Sequence, residues 1–264
     1  MSEIVHTTLE DGLLTITLNR PEKRNALSLE LFAAVGEAFD RANEPAVRTV
    51  LLRGEGKVFC AGIDLGSLAE LGGGDVHRNF ISGVERLQEV YLKLERAGKP
   101  SVAAVHGVAL GAGLQLAMAC DLRVFADDAR VGLLEINYGI IPDLTGLHRA
   151  VQLCGQGRAK DLAMTGREVG AEEALRWGLA DRVVAASEVQ AAALALALEI
   201  NGRAPLAASW AKRLVDQAAA GQSPAANLAD VARAQLQCIS SPDFGEALAA
   251  RLEGRPPRFG ARPA

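Results

Sequence analysis

One stretch limits what this chain can fold into more than any other: residues 99–149, KPSVAAVHGVALGAGLQLAMACDLRVFADDARVGLLEINYGIIPDLTGLHR. Val102–Val105 is an unbroken apolar run, which predicts a strand buried on both faces. Gly107–Gly113 follows, a turn of small residues that leaves little side chain in the way. Leu114–Cys120 is then apolar nearly all round, the pattern of a helix enclosed in protein. A bare turn feeding a buried helix offers free main-chain N–H groups to an electron-rich oxygen. Beyond it stand two solitary carboxylates in apolar company, Glu135 in VGLLEINYG and Asp143 in IIPDLTG. Donors for an oxyanion together with isolated carboxylates point to proton transfer beside a carbonyl.

Upstream, residues 4–9 and 13–19 read as a hairpin turning at Glu10-Asp11-Gly12. A polar loop, 19–25, carries a Pro stop, and Ser28 then caps a helix over Leu29–Asn43. Val47–Arg53 predicts another buried strand, and Phe59–Leu65 a second strand-to-turn junction with small residues. The segment 66–79, with a triple glycine at 72–74, reads as a flexible lid ahead of a helix over Phe80–Ala97. Downstream, a helix over Glu172–Trp177, stopped by Gly178, leads to a last strand, DRVV. After Ser187 every segment is helical: Val189–Asn201, Pro205–Ala220, Ala225–Ile239 and Phe244–Leu252. Strands alternating with helices, then helices alone, predict an α/β core over 1–186 and a helical region over 187–264.

A chain of 264 residues can bury a substantial core as one α/β unit. Its net charge of −4 gives no reason to expect a nucleic-acid surface. The start lacks the basic-then-apolar pattern of a signal peptide, and the run Ala191–Ile200 is too short to span a bilayer. Cys60, Cys120, Cys154 and Cys238 form no CxxC pair and read as buried small hydrophobes, not as disulfides or metal ligands. A cytoplasmic protein without membrane attachment is expected.

Other motifs carry less. Gly111-Ala112-Gly113 hints at a dinucleotide fingerprint, but Leu116 occupies the third glycine position. No serine sits in a GxSxG elbow. His106 and His148 read as hydrogen-bonded structure, Trp177 and Trp210 as packing residues.

The segments NRPEKRNAL, FCAGIDL, KPSVAAVHGVALGAGLQLAMACDLRVFADDARVG, EINYGIIPDLTGLHRAV, AMTGREVGAEEALRWGLADRVV and DFGEALAARLEGRPPRF follow in this order across nearly the whole chain. Together they resemble the crotonase family of enoyl-CoA hydratases and isomerases. The resemblance implies an α/β fold, a crotonase-like spiral of ββα units with a C-terminal helical trimerisation region. It also implies a homotrimer or dimer of trimers and an acyl-CoA thioester substrate. No metal or cofactor is implied beyond the CoA that the substrate carries. The thioester oxygen would be held by the main-chain N–H groups of Ile63, in CAGID, and Ala112, in LGAGL. Lys23 and Arg24 would meet CoA phosphates, with Ala26, Ala61 and Asp64 along the nucleotide and pantetheine. For Lys23 and Arg24 an ordinary solvated surface loop is the competing reading.

Hydratases of this family hold and split water between two glutamates. Glu135 matches the second; at the first stands Gln115, an amide that can position water or substrate but cannot trade a proton. Glu135 alone resembles the shuttle of Δ3,Δ2-enoyl-CoA isomerases. Glu135 with Asp143 resembles the acid pair of dienoyl-CoA isomerases, and IPD the ring-type epoxyphenylacetyl-CoA isomerases. The implied activity is movement of a C=C bond in an enoyl- or dienoyl-CoA. Hydration of a 2-enoyl-CoA in fatty-acid oxidation and acyl-CoA binding without catalysis are the alternatives. Against the catalytic roles stand structural ones: Glu135 capping a loop or pairing with Arg149, and Asp143 as a turn residue after Pro142.

Overall fold

The computed structural model describes residues 4–64, 66, 67 and 76–260, and side chains over that range except 76–80. Among them are nine strands: β1 (Val5–Glu10), β2 (Leu13–Leu18), β3 (Thr49–Gly54), β4 (Ser101–Val105), β5 (Val108–Leu110), β6 (Leu122–Ala126), β7 (Arg130–Gly132), β8 (Val169–Gly170) and β9 (Arg182–Val184). The α-helices are α1 (Leu29–Asp40), α2 (Val76–Arg96), α3 (Ala112–Met118), α4 (Gly146–Thr165), α5 (Ala171–Trp177), α6 (Val189–Asn201), α7 (Pro205–Ala219), α8 (Pro224–Ile239) and α9 (Pro242–Glu253).

The main sheet runs β1-β2-β3-β4-β6-β9. Its first pair is the expected antiparallel hairpin, Val5 opposite Leu18 and Glu10 opposite Leu13. Asp11 and Gly12 both take positive φ at the turn, which matches the twist of the strands. The remaining pairs are parallel. Every residue of β4 is buried, as an apolar run in the middle of a parallel sheet should be. A second sheet, β5-β7-β8, pairs β5 parallel and β8 antiparallel to β7. The Ser28 hydroxyl caps α1 by accepting the Leu31 N–H at 3.2 Å.

Several bounds differ from the expectation. The turn 107–113 contains β5, whose small Ala109 bridges Cys60, so the small residues serve a tight strand contact as well as a turn. In place of a strand, Phe59–Leu65 offers only two bridges, Cys60 with Ala109 and Ile63 with Leu27, and Leu65 lies outside the described residues. The buried helix starts at Ala112, not Leu114. Of the expected lid, 66, 67 and 76–79 are helical, while 68–75 with the triple glycine lie outside the described residues. The helix α2 thus begins at Val76, ahead of Phe80.

Past residue 187, α6 lies across β2, β3, β4, β6 and β9, with Val189, Ala193, Leu196 and Ala197 buried in the same core. Its last residue, Asn201, donates to the carbonyl of Asp11 in the hairpin turn at 2.9 Å. Beyond it, α7 packs on α8 and α8 on α9. No helix among the described residues is long and apolar enough to cross a membrane.

Candidate active site

A cavity of about 870 Å3 opens between α2, the segment Ala61–Ile63, the start of α3, and the stretch from Leu134 to Leu144. Ile81, Val84, Leu87, Leu110, Ile140 and Ile141 make most of it apolar. Ile81, Tyr138 and Ile141 are all exposed large apolar side chains, so the cavity has an oily rim.

Two backbone segments meet at its floor. Asn25, wholly buried, donates its amide to the carbonyls of Glu55, Val58 and Phe59, fixing the polar loop beside residues 60–63. Leu27 N–H donates to Gly62 O, and Asp64 N–H to Leu27 O. Gly62 takes φ +103°, and a Cβ there would sit 2.7 Å from the carbonyl oxygen of Leu110, so only glycine allows this approach. Leu110 N–H is spent on Cys60 O and Gly111 N–H on Gly132 O. The N–H groups next to these spent ones, on Ile63 just before Asp64 and on Ala112 just after Gly111, donate to no acceptor among the described residues, and both residues line the cavity. The two predicted oxyanion donors are therefore brought together on one floor.

The two predicted carboxylates share one wall. Glu135 opens a 3-10 turn, Glu135–Tyr138, and is 9% exposed. Its Oε1 accepts from Nε2 of Gln115 at 2.8 Å, whereas Oε2 is buried without a hydrogen-bond partner among the described residues. Burial pushes its pKa up, the neighbouring charge of Asp143 adds to the rise, and the Gln115 bond opposes it. The Asp143 carboxyl is raised as well, chiefly by burial. Arg149 does not pair with Glu135: its guanidinium reaches Glu95 at 2.7 Å and Thr145 at 3.2 Å. Asp143 does sit in a turn, and its carbonyl accepts from Nε2 of Gln88 at 2.6 Å.

Of the remaining predicted residues, Ala61 lines the cavity, while Lys23, Arg24, Ala26 and Asp64 stand outside its wall. Lys23 and Arg24 are exposed, and the Arg24 carbonyl accepts the Ala61 N–H at 3.0 Å. Asp64 is occupied: Oδ2 accepts from Arg20 at 2.9 Å and Oδ1 from the Gly66 N–H at 3.0 Å. The Arg20 bond holds that carboxyl below its ordinary value. Arg20 also donates to Ala26 O, so it staples the loop to the floor segment. Sequence reasoning passed over Arg20, Asn25 and Gln88. Gln88 had a signal, a polar residue on the α2 face that carries Val84 and Ile81 four and seven residues earlier.

Two sheets with a helix-covered core, free main-chain donors and buried carboxylates around one cavity define a crotonase-fold α/β protein. The family model described as enoyl-CoA hydratase/isomerase matches residues 8–262. A short-chain-enoyl-CoA hydratase of Clostridium acetobutylicum is 35% identical over 251 residues, covering 93% of each chain. A peroxisomal Delta(3,5)-Delta(2,4)-dienoyl-CoA isomerase of Arabidopsis thaliana is 32% identical over 267 residues, covering 97% of this chain and 96% of that one. The crystal structure of an enoyl-CoA hydratase from Polaromonas superposes with a TM-score of 0.89 at 32% identity, covering 97% of this chain and 99% of that chain. The chain belongs to the enoyl-CoA hydratase/isomerase family.

Proposed function

We propose that the protein moves a C=C bond along an enoyl- or dienoyl-CoA, with Glu135 shuttling the proton. In a 3-enoyl thioester, the Glu135 carboxylate takes a proton from C2. The electrons spread over C2–C4 and the thioester oxygen, which the N–H groups of Ile63 and Ala112 hold. Glu135 returns the same proton at C4, leaving the conjugated 2-enoyl thioester with no net gain or loss of atoms. Removing one such donor costs about 2.7–4 kcal/mol of barrier. Over a longer conjugated system Glu135 takes the C2 proton while Asp143, in its acid form, gives one to the far carbon, and the proton on Glu135 passes back to Asp143 before the next turnover. The apolar rim takes the acyl chain, and Lys23, Arg24, Ala26, Ala61 and Asp64 flank the CoA, the two cations at its phosphates. The side chains need no metal or separate cofactor, and a cytoplasmic homotrimer or dimer of trimers is the working assembly.

The observation that carries this reading is the state of Gln115. Its amide oxygen accepts from Leu144 N–H at 2.9 Å and Gly146 N–H at 2.8 Å, and its nitrogen donates to Glu135. The group beside Glu135 is thus a fully engaged neutral amide, which can neither give nor take a proton, where the hydratases of the family place their first glutamate. Mixing the purified protein with a 3-enoyl-CoA tests the proposal: absorbance of the conjugated thioester grows with the wild type and not with Glu135→Gln. Loss of that signal from a 2-enoyl-CoA in water, without any isomerisation, would assign hydration instead. Thermal stabilisation by acyl-CoA with no turnover would leave a binding protein.

A further inference from the structure

We propose that Gln115 is a positioning residue that locks both carboxylate-bearing segments into one geometry, an inference that rests on the isomerase reading of this cavity. Gln115 is 1% exposed and has three protein partners. Through Nε2 it holds Oε1 of Glu135, so the other carboxylate oxygen is turned to a fixed direction. Through Oε1 it holds the N–H groups of Leu144 and Gly146, which filled both lone pairs of the amide oxygen. Flipping the amide would set its NH2 group against two N–H donors and its oxygen against a carboxylate, so only one orientation satisfies the network.

The contact with the turn is tight. A Cβ on Gly146 would fall 2.5 Å from Cγ and Oε1 of Gln115, so α4 can start this close only with glycine at its first position. Asp143 is then gripped on both sides: its carbonyl by Gln88 of α2, and the next N–H, on Leu144, by Gln115. One buried amide on α3 therefore sets where Glu135 and Asp143 stand relative to each other. A site that moves a proton between two carbons needs that spacing fixed.

Two variants separate positioning from mere stability. Gln115→Met keeps the length and loses all three bonds, while Gln115→Glu keeps an acceptor for both N–H groups and replaces the neutral donor to Glu135 by a carboxyl that shares one proton with it, so that Glu135 is no longer a free base. Hydrogen exchange at the Leu144 and Gly146 amides is expected to quicken by about tenfold or more in Gln115→Met and to stay unchanged in Gln115→Glu. With a 3-enoyl-CoA, kcat is expected to fall by about 10–100-fold in both variants, with KM within about threefold. Added to Glu135→Gln, Gln115→Met should then lower kcat no further, because the group it positions is already gone.

Unchanged exchange in Gln115→Met overturns the proposal, as does quickened exchange with wild-type kcat, or a further loss of kcat in the double variant. Where Gln115→Met does not fold, Gln115→Glu decides: protected amides with reduced kcat support the proposal, and wild-type kcat overturns it. A wild type that isomerises no enoyl-CoA would sink the isomerase reading by itself. The amide exchange would then settle separately whether Gln115 holds the turn.

Discussion

Gln115 donates an N–H to Oε1 of Glu135 at 2.8 Å, and Oε2 of the same carboxylate finds no hydrogen-bond partner among the described residues. A buried carboxylate satisfied on one side only is costly for the fold and suited to taking a proton from carbon. Glu135→Gln keeps the shape and removes the charge. It is expected to lower isomerisation by about 10²–10⁴-fold. Its melting temperature should equal or exceed that of the wild type, because the cost of burying the charge is gone. Absorbance of the conjugated thioester and a thermal melt read the two effects; a clear fall in melting temperature would contradict the stability half.

The pH dependence follows from the same burial. The pKa values of Glu135 and Asp143 both lie above their ordinary positions, so the folded state holds these protons more tightly than the unfolded chain does. Isomerisation needs ionised Glu135 and should fall as pH drops through the raised pKa, with its acid limb above the ordinary value of 4.5. Stability runs the other way. The penalty for the ionised form is absent below the unfolded pKa, grows as pH rises through the folded one, and is then constant. Urea titrations across that range should show wild-type stability declining relative to Glu135→Gln as pH rises. Parallel curves would refute a raised Glu135.

Asp143 shares the wall with Glu135 but has a different duty in the proposed chemistry. Asp143→Asn keeps the turn, since Gln88 and Gln115 grip the backbone of 143 and 144 and not the side chain of 143. It should slow a 3,5-dienoyl-CoA by about tenfold or more beyond its effect on a 3-enoyl-CoA. Matched losses on the two substrates would leave Asp143 without a separate proton to carry.

The sequence carried the apolar elements well and the polar scaffold poorly. The hairpin, the buried β4 and the caps at Ser28 and Gly178 follow from local pattern, and the structure keeps them. So did the meeting of Glu135, Asp143, Ile63 and Ala112, through the motif order that signals the family. What local pattern could not show is which long-range partner a buried polar group takes. Asn25 in a charged loop reads as solvated, yet it is wholly buried and spans to residues 55–59. Gln115 reads as one polar residue on an apolar helix, and its three partners lie 20–31 positions away. The start of α2 is not legible locally, because the polar run before Phe80 lacks an apolar stripe and helix there depends on context beyond periodicity.

Lys212, on α7, ties the helical region to the sheet. Its Nζ lies 2.7 and 2.9 Å from the two oxygens of Asp121, one of which also accepts the N–H and the hydroxyl of Ser101 at the head of β4. The Lys212 side chain is 6% exposed and that of Asp121 25%, so water does little to screen the pair. Lys212→Met keeps most of the apolar stem and leaves Asp121 with an uncompensated charge. It is expected to cost about 2 kcal/mol, below the 3–5 kcal/mol of a fully buried broken pair because Asp121 still reaches solvent. Lys212→Met with Asp121→Asn should recover part of that loss, since the stranded charge is then removed while Asn can still accept from Ser101. Denaturant titration of the three variants measures the coupling. Additive losses would mean that the ion pair does not hold the helical region to the sheet.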